Sequence, residues 1–415
     1  MSSPLARCIE PWSVEQFLAD CWQRAPLLLA RDRPGYFGDL ISLREFDSIV
    51  SSTGLRHPYF RLFRDGRPIP VSATTTARQL GPDLDTGLAD LGVVYDEYSE
   101  GATIVLQALE RWWPSFHRLC RQFEMALGHP TQAHAYLTPA SARGAPVHYD
   151  THDVFVLQVE GAKTWRVWEP LKRLPMRLSE DTYEPDAVAA HVKEREPLID
   201  VELGAGDSLY LPRGYVHEVR TDRVRSLHVT ISVMVYRWVD LAEAVVTRRL
   251  AELAELETFR ESLPFGRSPM AGADPVMRGR YERLVADLLE GLDFEDDGME
   301  LMRSRMLAYA VPSFRGRVLD LQRVEQIRLD QQIRVKDDAM FLLSDDGKNV
   351  RLTVGPSVVS FDRRFLPALR HLTSSDSLRP GDLPGGLAAD EQLALARRLV
   401  ETGLCTLGKG ADDDH

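Results

Sequence analysis

The sequence predicts an α+β protein in which a small β-barrel is set between helical regions. Three observations predict it. Ser226, His228, Thr230 and Ser232 alternate with Leu227, Val229, Ile231 and Val233. One face is therefore polar and the other apolar, as in a sheet that encloses a wet or liganded interior. From about residue 133 to 237, short apolar or alternating runs are punctuated by Gly and Pro, the texture of a barrel or sandwich. On either side of that segment the apolar spacing changes to three or four, the period of core-facing helices.

In chain order, Ser13 caps an expected helix that carries Phe17, Leu18 and Trp22. Residues 101–127 place Ile104, Leu106, Leu109, Trp112 and Trp113, then Phe116, Leu119, Phe123 and Leu127, which predicts a core helix broken near Pro114. The barrel segment starts with strands over 154–159 and 163–168, separated by a Glu160-Gly161 turn. Strands over 208–211 and 215–219 follow, joined by a Pro212-Arg213-Gly214 turn. After Val239, residues 241–263 and 276–292 are amphipathic helices that could form a dimer seam. From Val318 a hairpin around Asp345-Asp346-Gly347-Lys348 and helices near 363–372 and 389–402 make a unit of winged-helix size. The expected domains are 1–239, 240–317 and 318–415, with a disordered tail at 411–415.

Composition narrows the function classes. The chain has 415 residues, 44% hydrophobic and 27% charged, which is a globular mixture with room for two or three domains. The apolar runs are too short to span a membrane, and the start, Met1-Ser2-Ser3-Pro4-Leu5, has no secretory pattern. Cys8, Cys21, Cys120 and Cys405 lie far apart with no CxxC pair. That spacing argues for a reducing, cytoplasmic setting and against disulfides or a thiolate zinc site. A net charge of −12 disfavours non-specific nucleic-acid binding and suits a basic protein or peptide partner. Residues 321–415 hold 13 Lys+Arg against 15 Asp+Glu. The winged-helix-sized unit therefore lacks the electrostatic term that DNA binding needs.

The chemistry centres on His148-Tyr149-Asp150. On a strand, side chains two apart share a face, so both can reach one ion. A second histidine from a neighbouring strand completes a facial two-histidine, one-carboxylate set. The positions opposite it stay open for an oxidisable cosubstrate and dioxygen, as in non-haem iron(II) oxygenases. With 11 His in 415 residues, chance supplies about one HxD, so the motif alone carries little. Context adds weight: His217 follows a turn, strand and turn that deliver it to the same barrel. The alternative is that His148 caps a turn and His217 lies on the surface.

Other residues are weighed in the same way. His152 lies four after His148, but the strand pattern places it out of reach, in a structural role. His228 and His134 are expected to point inward, as ligands, outer partners or cosubstrate contacts. Lys163 either faces solvent at a strand end or points into the barrel, where its desolvation would require an anion such as a dicarboxylate.

At these residues the sequence resembles a known family. Tyr136-Leu137-Thr138-Pro139, Pro146-Val147-His148-Tyr149-Asp150, the stretch 154–166, Pro212-Arg213-Gly214-Tyr215-Val216-His217 and the strand 226–232 are similar, in order, to the JmjC-type ribosomal oxygenases. These are cupin-fold, Fe(II)- and 2-oxoglutarate-dependent protein hydroxylases. The resemblance implies a double-stranded β-helix with N-terminal helices, a helical dimerisation region, a C-terminal winged-helix-like domain and a homodimer. It implies His148, Asp150 and His217 as iron ligands and Lys163 as the anchor of the distal 2-oxoglutarate carboxylate. Tyr136 and His228 would line the cosubstrate pocket. His134 stands where eukaryotic members have an asparagine, and is placed beside them.

The expected activity is hydroxylation of a side chain, histidine or arginine, in a ribosomal or similar protein, with dioxygen and 2-oxoglutarate consumed. Three alternatives stand beside it: a peptide-tailoring hydroxylase, an N-methyl-lysine demethylase, and a cupin scaffold that binds without turnover.

Overall fold

A computed structural model describes residues 4–144, 146–176, 185–262, 275–294, 296–310, 315–372 and 375–407. The expected tail at 411–415, the first three residues and Leu263 lie outside the described residues. The single helix expected over 241–263 is corrected: it ends at Leu253, with a separate short helix over Glu257–Arg260. The chain divides into two compact units, Met1–Val235 and Tyr236–His415. Among the described residues no helix is long and apolar enough to cross a membrane.

The first unit opens with helices α1 (Pro4–Ile9) and α2 (Val14–Asp20), the latter capped by Ser13 with Gln16 in a reciprocal box. Strands β1 (Leu27–Leu29), β2 (Phe60–Arg64) and β3 (Arg67–Pro68) follow, with α3 (Leu43–Ser52) between the first two. A turn, α4 (Val71–Thr74), leads into a separate hairpin of β4 (Thr75–Leu80) and β5 (Asp83–Ala89). Next come α5 (Leu91–Ser99), β6 (Thr103–Leu106) and α6 (Pro114–Leu127).

The expectation of one broken helix over 101–127 is therefore corrected. Thr103-Ile104-Val105-Leu106 is a strand paired with both β2 and β7. Its β-branched run buries all four residues between neighbouring strands, and that packing outweighs an apolar spacing that imitates a helix.

The barrel consists of β7 (Thr131–Thr138), β8 (Asp153–Pro170), β9 (Ile199–Gly204), β10 (Ser208–Leu211), β11 (Tyr215–Arg220) and β12 (Ser226–Val233), with α7 (Pro185–Lys193) before β9. The expected turn at Glu160-Gly161 is not a chain reversal: β8 runs through it as one 18-residue strand. Its first half pairs with β10 and β12, and its second half with β9 and β11. The register with β12 shifts between Leu227 and His228, next to the Ser226–Gly161 pair. Gly161 sits at φ +69°, and a Cβ there would lie 1.8 Å from the Arg225 carbonyl oxygen. Only glycine allows this bend, which lets one strand serve both layers. Outside the barrel, Phe155 from β8 packs on Phe17, Phe123 and Tyr210. These rings anchor the N-terminal helices to the sheet.

The second unit begins with α8 (Trp238–Leu253), α9 (Glu257–Arg260), α10 (Pro275–Glu290) and α11 (Asp296–Tyr309). It continues with α12 (Arg317–Arg323) and β13 (Ile333–Val335). A three-stranded antiparallel sheet follows, of β14 (Phe341–Asp345), β15 (Asn349–Val354) and β16 (Ser357–Asp362). Helices α13 (Leu366–His371) and α14 (Ala389–Glu401) share one buried core with that sheet, to which Leu369, Leu395 and Leu399 contribute together with Val350 and Leu352.

Candidate metal centre

The three residues of the expected triad meet at one end of the barrel. His148 and His217 exchange backbone hydrogen bonds, His148 N–H to the His217 carbonyl at 3.1 Å and the reverse at 2.8 Å. That exchange brings the loop before β8 beside β11. Gly214 N–H donates to the Asp150 carbonyl at 2.9 Å, fixing the carboxylate's segment to the turn that precedes His217. One ligand atom from each of His148, Asp150 and His217 lies within 4.8 Å of the other two.

Their chemistry fits a cation. His148 Nδ1 lies 2.7 Å from the Pro146 carbonyl oxygen, and His217 Nδ1 lies 3.0 Å from that of Tyr215. A carbonyl only accepts, so each Nδ1 carries a proton, and in the neutral ring it is Nε2 that presents the lone pair. Those Nε2 atoms stand 3.9 and 3.7 Å from the Asp150 carboxylate. The gaps are too wide for hydrogen bonds and leave space for an ion. Burial pushes His217 down to about 4, which keeps it neutral as a ligand must be. Burial also opposes ionisation of Asp150. The surrounding imidazoles of His152, His148 and His217 outweigh it and hold the carboxyl below its ordinary value.

A cavity of about 380 Å³ opens beside this cluster, and Lys163, Tyr136, His228 and His134 all line it. The solvent-facing alternative for Lys163 is thereby excluded: its side chain is 1% exposed. Its Nζ donates to Thr138 Oγ1 at 2.9 Å, and Thr138 bonds in turn to Thr103 at 3.0 Å. No carboxylate pairs with Lys163 among the described residues, and burial lowers the ammonium to about 7. Tyr136 stacks on His228 with ring centres 4.7 Å apart and planes 9° apart. Trp165 stands beside both His217 and His228. The buried Trp165 Nε1 and His228 Nδ1 have no hydrogen-bond partner among the described residues, so two polar atoms of this wall remain available to a ligand.

His134 is neutral, pushed down to about 3 by burial and then by His152 and Arg61. Its Nδ1 receives the Ala108 N–H at 3.4 Å. The placement of His152 out of reach is corrected. It lines the cavity and its Nε2 is 3.8 Å from Asp150, because residues 146–152 approach β8 without regular strand geometry. It is nevertheless outside the set of three that can share one ion.

Sequence reasoning gave no individual role to Arg61 and Phe63 on β2, to Thr230 and Ser232 within the polar face of β12, or to the threonine pair behind Lys163, although all but Thr138 line the cavity. The polar face of β12 contained that signal. For β2 it was the alternation Phe60-Arg61-Leu62-Phe63-Arg64 before Asp65-Gly66.

Comparison with known proteins bears on the family and the fold. Residues 108–241 match the JmjC domain. The chain is 31% identical over 275 residues to a Caenorhabditis elegans protein named bifunctional lysine-specific demethylase and histidyl-hydroxylase NO66, covering 64% of this chain and 34% of that one. It is 31% identical to ribosomal oxygenase 1 of Gallus gallus (65% and 43% covered). It is 28% identical to the Dictyostelium discoideum NO66 protein (98% and 82% covered). The chain thus spans a third to under half the length of the first two relatives. Its fold matches the Escherichia coli ribosomal oxygenase YcfD with a TM-score of 0.57 at 20% identity, covering 95% and 98% of the two chains. A further YcfD structure, described as a complex with cobalt and 2-oxoglutarate, matches at 0.56 and 19%. The barrel is accordingly of the JmjC/cupin type.

Replacing His217 by Ala is expected to weaken Co(II) binding more than ~100-fold, beyond the 10–100-fold typical of losing an outer partner. Titration of the visible Co(II) bands measures it; an affinity equal to wild type would remove His217 from the metal set.

Proposed function

We propose that this chain, a JmjC-domain protein resembling the ribosomal oxygenases, is an iron(II)- and 2-oxoglutarate-dependent oxygenase. It hydroxylates a side chain, histidine or arginine, of a ribosomal or similar protein. One observation carries this reading: a two-histidine, one-carboxylate cluster opens on the same cavity as a buried lysine that lacks an acidic partner among the described residues. A dicarboxylate cosubstrate answers both halves, one end at the metal and the other at the ammonium.

His148, Asp150 and His217 hold the metal, and the two backbone carbonyls behind the imidazoles fix their tautomers. Iron(II), when bound, supplies dioxygen activation coupled to oxidation of 2-oxoglutarate to succinate and CO2. Lys163, backed by Thr138, binds the distal carboxylate, and Tyr136 and His228 form the apolar-faced wall along the cosubstrate. His134, held neutral, stands with them.

The finer organisation belongs to the same reading. Helices within 240–317 form a dimerisation region, supported by outward-facing Tyr281, Leu289 and Phe294. Residues 318–415 form a winged-helix-like domain, supported by a three-stranded sheet with two packed helices. Its balance of charge favours docking over nucleic-acid binding. Four free, buried thiols suit a reducing, cytoplasmic compartment.

Incubation with Fe(II), 2-oxoglutarate and ribosomal-protein peptides should add one oxygen to a histidine or arginine, read by mass spectrometry. The His148→Ala, Asp150→Ala variant should add none. Loss of a methyl group would favour demethylation instead, and modification of a biosynthetic peptide alone would favour tailoring. No 2-oxoglutarate turnover with any pool would sink the oxygenase assignment.

Lys163 also sets a pH dependence. Below about 7 the empty site already carries the ammonium. Above it, anion binding must take up a proton. Affinity for 2-oxoglutarate should therefore fall as pH rises past 7, by up to ~tenfold per pH unit. Affinity unchanged from pH 6 to 9 would exclude Lys163 as the anchor.

A further inference from the structure

A buried ion pair lies behind the metal cluster, outside the cavity wall. Asp153, the first residue of β8, is fully buried, and Arg213, in the turn between β10 and β11, is 6% exposed. Asp153 Oδ2 accepts from Arg213 Nη1 at 3.0 Å. Its Oδ1 accepts from the Arg213 backbone N–H at 3.2 Å and from the Tyr210 hydroxyl at 3.1 Å. The carboxylate thus takes up side chain and backbone of one turn together with the end of β10.

The position of this pair matters more than its strength. Asp153 follows Asp150 by three residues, and Arg213 precedes His217 by four. The same two segments are joined by the Gly214 N–H to Asp150 carbonyl bond and by the His148–His217 backbone exchange. The ion pair therefore closes a ring of contacts around the loop that carries two of the metal-holding residues and the turn that delivers the third. A buried ion pair contributes little net stability, because desolvation consumes most of the attraction, and an apolar pair of similar volume often does as well. Stability alone does not account for a carboxylate and a guanidinium here; the directed contacts to a turn backbone do.

We propose that Asp153 and Arg213 are positioning residues for the metal centre, setting the distance and angle between the Asp150 carboxylate and the His217 imidazole. This rests on the reading of His148, Asp150 and His217 as metal ligands. In the resting protein the pair holds the two segments at metal-binding spacing before the ion arrives, so affinity depends on it more than folding does. Partners bonded directly to ligating side chains are worth about 10–100-fold in metal affinity. A pair that fixes the spacing of two ligand-bearing segments is expected to fall in the same range.

The test uses the full-length protein and Co(II) alone, with affinity taken from the visible absorption of the bound ion and unfolding from circular dichroism. Two variants are compared with wild type: Asp153→Asn, and the double variant Asp153→Leu, Arg213→Met, which substitutes an apolar pair. The expected result is a split. The double variant melts no lower than Asp153→Asn, yet both bind Co(II) 10–100-fold more weakly than wild type, with shifted band positions. Affinity within threefold of wild type in either folded variant would overturn the positioning role and leave the metal reading intact. Failure of both variants to fold would make the pair a fold determinant and overturn the proposal as well. Wild-type protein that binds no Co(II) would instead overturn the metal reading, and the proposal with it.

Discussion

The site depends on one bent strand. Asp153–Pro170 pairs with β10 and β12 before Gly161 and with β9 and β11 after it. Its two halves thereby bring their own residues to one cavity. The segment just before the strand supplies His148 and Asp150, and its second half supplies Lys163 and Trp165. The bend is possible because Gly161 has no Cβ to strike the Arg225 carbonyl. A true chain reversal there would separate the lysine from the triad. A straight strand would leave β9 and β11 without a partner.

Electrostatics then divide the cavity. At one end, the imidazoles of His148 and His217 face a carboxylate held below its ordinary value, and burial lowers His217. On its wall a buried ammonium has, among the described residues, only a hydroxyl as hydrogen-bond partner. Each arrangement is costly without a ligand, since burying an ion without its counter-ion opposes folding. A cation at the first and an anion at the second relieve both costs. A site that is electrostatically incomplete when empty is suited to binding two charged species together.

The barrel was legible in the sequence because its last strand alternates without interruption, and its polar face is the cavity wall. The triad was legible through order along the chain, with HxD before the long strand and His217 after the Pro-Arg-Gly turn. Other features were hidden for physical reasons. Glu160-Gly161 has the chemistry of a turn, and only the cross-strand neighbours reveal a bend. Ile104 and Leu106 keep a spacing compatible with a helix while sitting in a strand, because tertiary pairing decides short segments. His152 lies where the backbone is irregular, so no period applies to it. The Asp153–Arg213 pair joins residues 60 apart, a contact that no local pattern encodes.

The central claim is that these three side chains share a single ion. Anomalous diffraction at the cobalt edge, from crystals grown with Co(II) and 2-oxoglutarate, tests it most directly. The account predicts one peak between His148 Nε2, Asp150 and His217 Nε2, with 2-oxoglutarate density running from it to Lys163. A peak elsewhere, or none with the cavity filled by another ligand, would contradict it.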